Sequence, residues 1–158
     1  MIFSDFLNEF THFAESNKGR EFATLFSESG IYDDYIYGRF QGRCQISDML
    51  SGHFHRDAEE LQWEMYDSIL NQDIGYSRYR FSFLSKLTES EGKRVVISGI
   101  SIFKFKNGLV SYYGESVNGG LAMIQLGLPA KKIKRVFENW FDRSLKHDGK
   151  LRKMLDQN

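Results

Sequence analysis

The run Ser29-Gly30-Ile31-Tyr32-Asp33-Asp34-Tyr35-Ile36-Tyr37-Gly38 decides how the chain is read. Aromatic and β-branched residues dominate it, which predicts a strand to about Ile36. Neighbouring side chains on a strand point to opposite faces. Asp33 and Asp34 therefore cannot share an environment. One faces water, and the other faces whatever the sheet covers.

Upstream, Phe3, Phe6, Leu7, Phe10, Phe13 and Ala14 recur at helical spacing. Ser16-Asn17-Lys18-Gly19 breaks that helix. A second helix is predicted to bury Phe22, Leu25 and Phe26, with Gly30 as its stop signal. Downstream, Gly38 and Gly42 predict a turn region around Phe40. A third helix is predicted from about Cys44 to Phe54, with Ile46, Met49, Leu50, His53 and Phe54 on one face.

From Leu61 the period changes to two. Leu61, Trp63, Met65 and Ile69 alternate with polar residues, and Gln72-Asp73 makes a turn. The next strand, Ile74 to about Leu87, sets Tyr79, Phe81 and Phe83 opposite Arg78, Arg80 and Ser82. A third, Val95 to Phe105, leads into Asn107-Gly108, a strong type I′ hairpin signal. Leu109 to Val117 returns from it. Strands of about 10–14 residues exceed the usual length and tend to bend at bulges, for which Gly99 and Gly114 are the candidates. A short helix over Leu121–Leu126 and a longer amphipathic one from Pro129 to Leu145 complete the pattern. This order predicts an α+β domain, with helices against one face of a curved antiparallel sheet that encloses a conical cavity.

The totals agree. The chain has 158 residues, 41% hydrophobic and 15% aromatic, which suits a single well-filled domain. Twenty-one basic residues balance 21 acidic ones, so global charge makes no case for nucleic acid or membrane partners. Residues 131–158 carry nine basic and four acidic side chains, a net of +5, leaving −5 on the rest. Cys44 is alone and cannot form an internal disulfide. The start lacks a basic run and a long apolar run, so neither a signal peptide nor a membrane span is expected, and the expected location is cytoplasmic.

Phe22 to Phe26, then Ser27-Glu28-Ser29-Gly30-Ile31-Tyr32-Asp33-Asp34, then Phe40-Gln41-Gly42-Arg43 opening a helix, resemble the nuclear transport factor 2-like superfamily. Its members include the ketosteroid isomerases and the SnoaL-like polyketide cyclases. Phe103-Lys104-Phe105-Lys106-Asn107-Gly108-Leu109-Val110 is similar to the late strand–turn–strand of that family. The resemblance covers about residues 3–118, with a helical extension over about 121–158. It implies a cone-shaped sheet of the cystatin-like type. It also implies an isomerase-like general base at Asp34. The positions of the isomerase oxyanion donors fall on Phe10 and Ser101, neither of which supplies the acidic proton used there. That argues against a ketosteroid isomerase and leaves the wider class open.

The expected function is a small-molecule cavity, with a cofactor-independent cyclase, isomerase or dehydratase acting on an apolar carbonyl compound. Asp34 is the expected base, and His12 or a tyrosine the group that polarises the carbonyl. Phe10, Tyr32, Trp63, Tyr79, Ser101 and Tyr113 are the expected ligand contacts. Glu115 shares parity with Tyr113 and could reach a pocket or a dimer interface. His53, His55 and Asp57 suggest a metal cluster, but residues two apart on a helix diverge, so no metal is expected. A homodimer through the sheet is expected. The alternative is a non-catalytic ligand-binding or interaction domain.

Overall fold

The structure, a computed structural model, describes residues 2–157. Helix α1, Phe3–Glu15, buries Phe3, Phe6, Leu7, Phe10 and Ala14 as one stripe. A short α2, Gly19–Thr24, follows. The chain then enters β1, Phe26–Asp34, turns, and returns as β2, Gly38–Gln41. Helix α3, Arg43–Met49, runs into a π-helical turn, Leu50–Phe54, and the single turn α4, His55–Asp57. Four long strands come next: β3, Ala58–Asn71; β4, Ile74–Ser85; β5, Arg94–Lys106; and β6, Leu109–Val117. Helices α5, Gly119–Leu126, α6, Ala130–His147, and α7, Gly149–Leu155, end the described chain.

The six strands form one curved sheet in the order β2-β1-β6-β5-β4-β3. All neighbours are antiparallel except β1 and β6, which run parallel with Ile31 opposite Tyr112 and Tyr32 opposite Tyr113. The expected α+β architecture is what forms. The core is a ring cluster centred on Phe10, which is fully buried. Its ring lies 4.8 Å from Phe22, 5.2 Å from both Phe103 and Tyr113, and 5.5 Å from Trp63.

The predicted boundaries need correction around the opening run. Phe26 begins a strand and does not end a helix. Gly30 is not a helix stop: it lies inside β1, where a Cβ would sit 2.9 Å from the Val110 carbonyl oxygen. The strand ends at Asp34, short of Ile36, because the Asp34 side chain captures the next backbone amides. Gly38–Gln41 is a strand, paired back onto β1 through Tyr32 and Phe40. Gly99 and Gly114 are not bulges, since both stay in register with their neighbours. The register shifts fall elsewhere: in β1 between Phe26 and Ile31, in β5 between Lys104 and Phe105, and in β3 between Glu59 and Gln62 and between Tyr66 and Ile69. Glu60 and Asp67 take positive φ there, 49° and 50°.

The outer face of β3 and β4 carries a ladder of ion pairs, with Arg80 2.9 Å from Glu64 and Arg78 3.1 Å from Asp67. Lys131, Lys132, Lys134 and Arg135 of α6 are exposed. No helix is long and apolar enough to cross a membrane among the described residues.

Phe10 holds α1 against the sheet from the centre of the ring cluster. Phe10→Ala is expected to cost about 3–5 kcal/mol in urea unfolding. A loss below about 1 kcal/mol would show that other contacts hold α1 in place.

Candidate functional site

Between the sheet, the turn after β1 and helices α5 and α6 lies a cavity of about 320 Å³. Tyr32, Trp63, Tyr79 and Phe81 line it from the sheet, Tyr35 and Tyr37 from the turn, and Met123 and Val136 from the helices. Asp34 and Glu115 interrupt this apolar wall. A smaller cavity of about 170 Å³ lies beside it, walled by Asp33, Tyr112, Arg143 and His147 among others. Asp34, Tyr35 and Glu115 belong to both. The two carboxylates therefore stand in a partition, with an aromatic chamber on one side and a polar one on the other.

Asp34 is the last residue of β1 and is 7% exposed. Its Oδ1 accepts from the amides of Ile36 at 2.8 Å and Tyr37 at 2.7 Å, an Asx turn that ends the strand. Both bonds use one oxygen and leave Oδ2 out of the turn. Burial pushes its carboxyl up to about 6, against the pull of the two amides and of Arg143. Glu115, half-buried on β6, accepts the Tyr79 hydroxyl proton through Oε2 at 2.6 Å. Burial, and then the charge of Asp34, push it up to about 7.

Parallel pairing explains why the two acids act on each other. Tyr32 sits opposite Tyr113, so two residues further along the strands Asp34 comes level with Glu115. Adjacent strands are about 4.8 Å apart. Arg143 of α6 pulls on Asp34 by its charge but pairs with neither acid. Its Nη2 donates to the carbonyl oxygens of Asp34 at 3.1 Å and Tyr35 at 2.9 Å. Among the described residues, neither Asp34 nor Glu115 belongs to any ion pair.

A third acid in the wall, less buried than Asp34, is differently placed. Asp57 is bound by Arg56 through two bonds of 2.6 Å and accepts the Tyr37 hydroxyl proton at 2.9 Å. The Arg56 bond holds its carboxyl below the usual range. It stays charged and paired, which makes it a poor proton acceptor.

Of the expected ligand contacts, Tyr32, Trp63 and Tyr79 line the large cavity. Phe10, Ser101 and Tyr113 do not reach it. They pack one layer behind, where Ser101 Oγ and the Tyr113 hydroxyl share a 3.1 Å bond. His12 is corrected: it is exposed on the outer side of α1, lines neither cavity, and bonds Lys18 at 3.1 Å. Its helical position opposite the buried stripe puts it in water. His53, His55 and Asp57 diverge, with His53 against the rings of Tyr37 and Phe40 and His55 bonded to the Ala14 carbonyl. One donor in the wall is unused: Trp63 Nε1 is buried without a partner. The roles of Arg143, Tyr37 and Met123 were missed, because their sequence neighbourhoods give no sign of where α5, α6 and the turn dock.

A raised acid holds its proton more tightly in the folded than in the unfolded chain. It is neutral to stability below its ordinary value of 3.8 and becomes destabilising as pH climbs to about 6. Asparagine keeps an oxygen for the two amides and removes the charge. Asp34→Asn should therefore raise unfolding free energy by about 2–3 kcal/mol at pH 8 and match the natural protein near pH 4. Urea titrations at both pH values check this, and a pH-independent difference would contradict it. Gly99 gives a second handle, since a Cβ there would lie 2.7 Å from the Tyr79 ring carbon and hydroxyl. Gly99→Ala should break the Tyr79–Glu115 bond and change the ultraviolet absorption of the buried tyrosine; an unaltered spectrum would show that Tyr79 is anchored elsewhere.

The sequence matches the SnoaL-like domain family over residues 7–113. No curated protein matches it. Among solved structures, the chain is similar to a hypothetical protein of ketosteroid isomerase-like fold from Catenulispora acidiphila DSM 44928, in complex with trimethylamine. That likeness has a TM-score of 0.71 and 16% identity, over 79% of this chain and 94% of the other. A proposed polyketide cyclase from Xanthomonas campestris pv. campestris gives 0.65 at 13% identity, over 78% and 95%. An M. tuberculosis LEH-like epoxide hydrolase gives 0.62 at 8% identity, over 76% and 85%. At such identities these likenesses establish the fold alone. The family match spans more than half of the chain, which therefore belongs to the SnoaL-like domain family, within the nuclear transport factor 2-like superfamily.

Proposed function

We propose that the protein is a cofactor-independent acid–base catalyst of the cyclase, isomerase or dehydratase type, acting on an apolar carbonyl compound held in the large cavity. The observation that carries this is Asp34: buried in an aromatic wall, fixed through Oδ1 by two amides, and shifted up to about 6. A base poised near neutrality is efficient at abstracting a proton next to a carbonyl. In this reading Asp34 Oδ2 takes that proton, and the unused Trp63 N–H donates to the carbonyl oxygen as charge develops there. The aromatic rings hold the substrate and keep water from the developing charge. Exposed Tyr76, Val96 and Ile100 on the outer face of β4 and β5 support a second proposal, that two copies associate through their sheets.

Proton abstraction can be followed without knowing the natural substrate. A panel of cyclic ketones and β-diketones in heavy water would report exchange at the α-carbon by NMR. The protein is expected to accelerate exchange for at least one of them. Asp34→Asn should lower that rate by about a hundredfold or more while the ketone still raises the melting temperature. Exchange retained in the variant would remove Asp34 as the base. Binding retained with no exchange in either protein would leave a ligand-binding domain.

A further inference from the structure

We propose that the ligand of the large cavity is an apolar amine, bound as its ammonium against Glu115 and Asp34, with its hydrocarbon body on the aromatic wall. This rests on the reading above that the cavity is a small-molecule site, and it names the charge class of the molecule.

Four acids line the cavity: Asp34, Asp57, Glu89 and Glu115. Two are already compensated. Asp57 is held by Arg56, and Glu89 pairs with Lys132, the one lysine or arginine among the lining residues. Asp34 and Glu115 are left, each two residues past the paired Tyr32 and Tyr113 on adjacent parallel strands. The elements packed around them add little positive charge. Asp33 on β1 is a further acid in the smaller cavity, and His147 lies across from it on α6. Arg143 has spent its Nη2 on two backbone carbonyls. Tyr79 donates to Glu115 without bringing a full charge.

Buried carboxylates are ordinarily paired or protonated. Among the described residues these two form no ion pair, since Arg143 pulls on Asp34 without pairing with it, and they adjoin a space that can hold a cation. An ammonium brings the missing charge and several N–H donors. Glu115 Oε1 and Asp34 Oδ2 are the oxygens left over by the Tyr79 bond and the Asx turn. Tyr32, Tyr35, Trp63 and Tyr79 line the same wall, and the face of an aromatic ring attracts a cation. An anionic ligand would meet two like charges in a medium of low dielectric constant. A volume of about 320 Å³ lies at the small end of the range for small-molecule sites, enough for one ring and a short chain.

Three probes with one skeleton test the charge class: 4-phenylbutylamine, 4-phenylbutan-1-ol and 4-phenylbutanoate, each titrated calorimetrically at pH 7.5. The amine should bind about tenfold or more tightly than the alcohol, and the carboxylate should not bind measurably. Glu115→Gln keeps an acceptor for Tyr79 and removes the charge. It should weaken the amine about tenfold and leave the alcohol within about twofold. Asp34→Asn provides the second variant, should weaken the amine in the same direction, and serves if Glu115→Gln fails to fold. An alcohol bound as tightly as the amine, or an amine indifferent to both substitutions, overturns the cation proposal and leaves the cavity reading standing. Failure of all three probes to bind overturns both.

Discussion

The register between β1 and β6 is the constraint on which the site depends. These strands are the one parallel pair in the sheet, and they bring the first strand of the chain against the last. Tyr32 stacks on Tyr113 with ring centroids 4.5 Å apart, and both rings belong to the cluster around Phe10. Sliding the register by one residue would turn every inward side chain outward. The core thus fixes the register, and the register sets Asp34 beside Glu115. The hydrophobic effect assembles an arrangement that electrostatics alone opposes. For both acids, burial is the largest cause of the upward shift.

A missing side chain completes the arrangement. Gly99 lies between Tyr79 on β4 and Val117 on β6, and the Tyr79 ring covers it. The ring can cross β5 because nothing projects from Gly99, and its hydroxyl reaches Glu115 two strands away. Any larger residue would push the hydroxyl off the carboxylate. Glycine at this position therefore serves packing of a neighbour, whereas in the hairpin at Asn107-Gly108 it serves backbone conformation, with φ of 53° and 78°.

Local patterns carried most of the fold in the sequence. The apolar stripe of α1 and the alternation of Tyr79, Phe81 and Phe83 depend only on neighbours a few residues away. Asp34 was separable from Asp33 by strand parity and by the family resemblance, and it is the more buried of the two. What stayed illegible depends on pairing at long range. Glu115 had the parity of Tyr113, but its meeting with Asp34 requires knowing that β1 pairs with β6. Gly30 resembles a helix stop because glycine often ends helices, yet its role here is close approach to the Val110 carbonyl. His12 misled for a different reason. It lies two residues from the buried Phe10, and on a helix that separation turns a side chain away by about 200°.

The helices after β6 carry the part of the site that the family match does not reach. The match ends at residue 113, before Glu115, α5 and α6. Met123 and Val136 close the aromatic chamber, while Trp140 packs on Tyr35 at 5.2 Å and Arg143 fastens α6 to the turn after Asp34. None of α6 is fully buried, and Phe137, Trp140 and Phe141 each stay more than a third exposed. The helix is thus held by a few specific contacts and not by a deep apolar face. The sheet supplies the half of the site that carries the rings and the aspartate. Helix α6, held by a few contacts, supplies part of the opposite wall of the cavity through Lys132 and Val136.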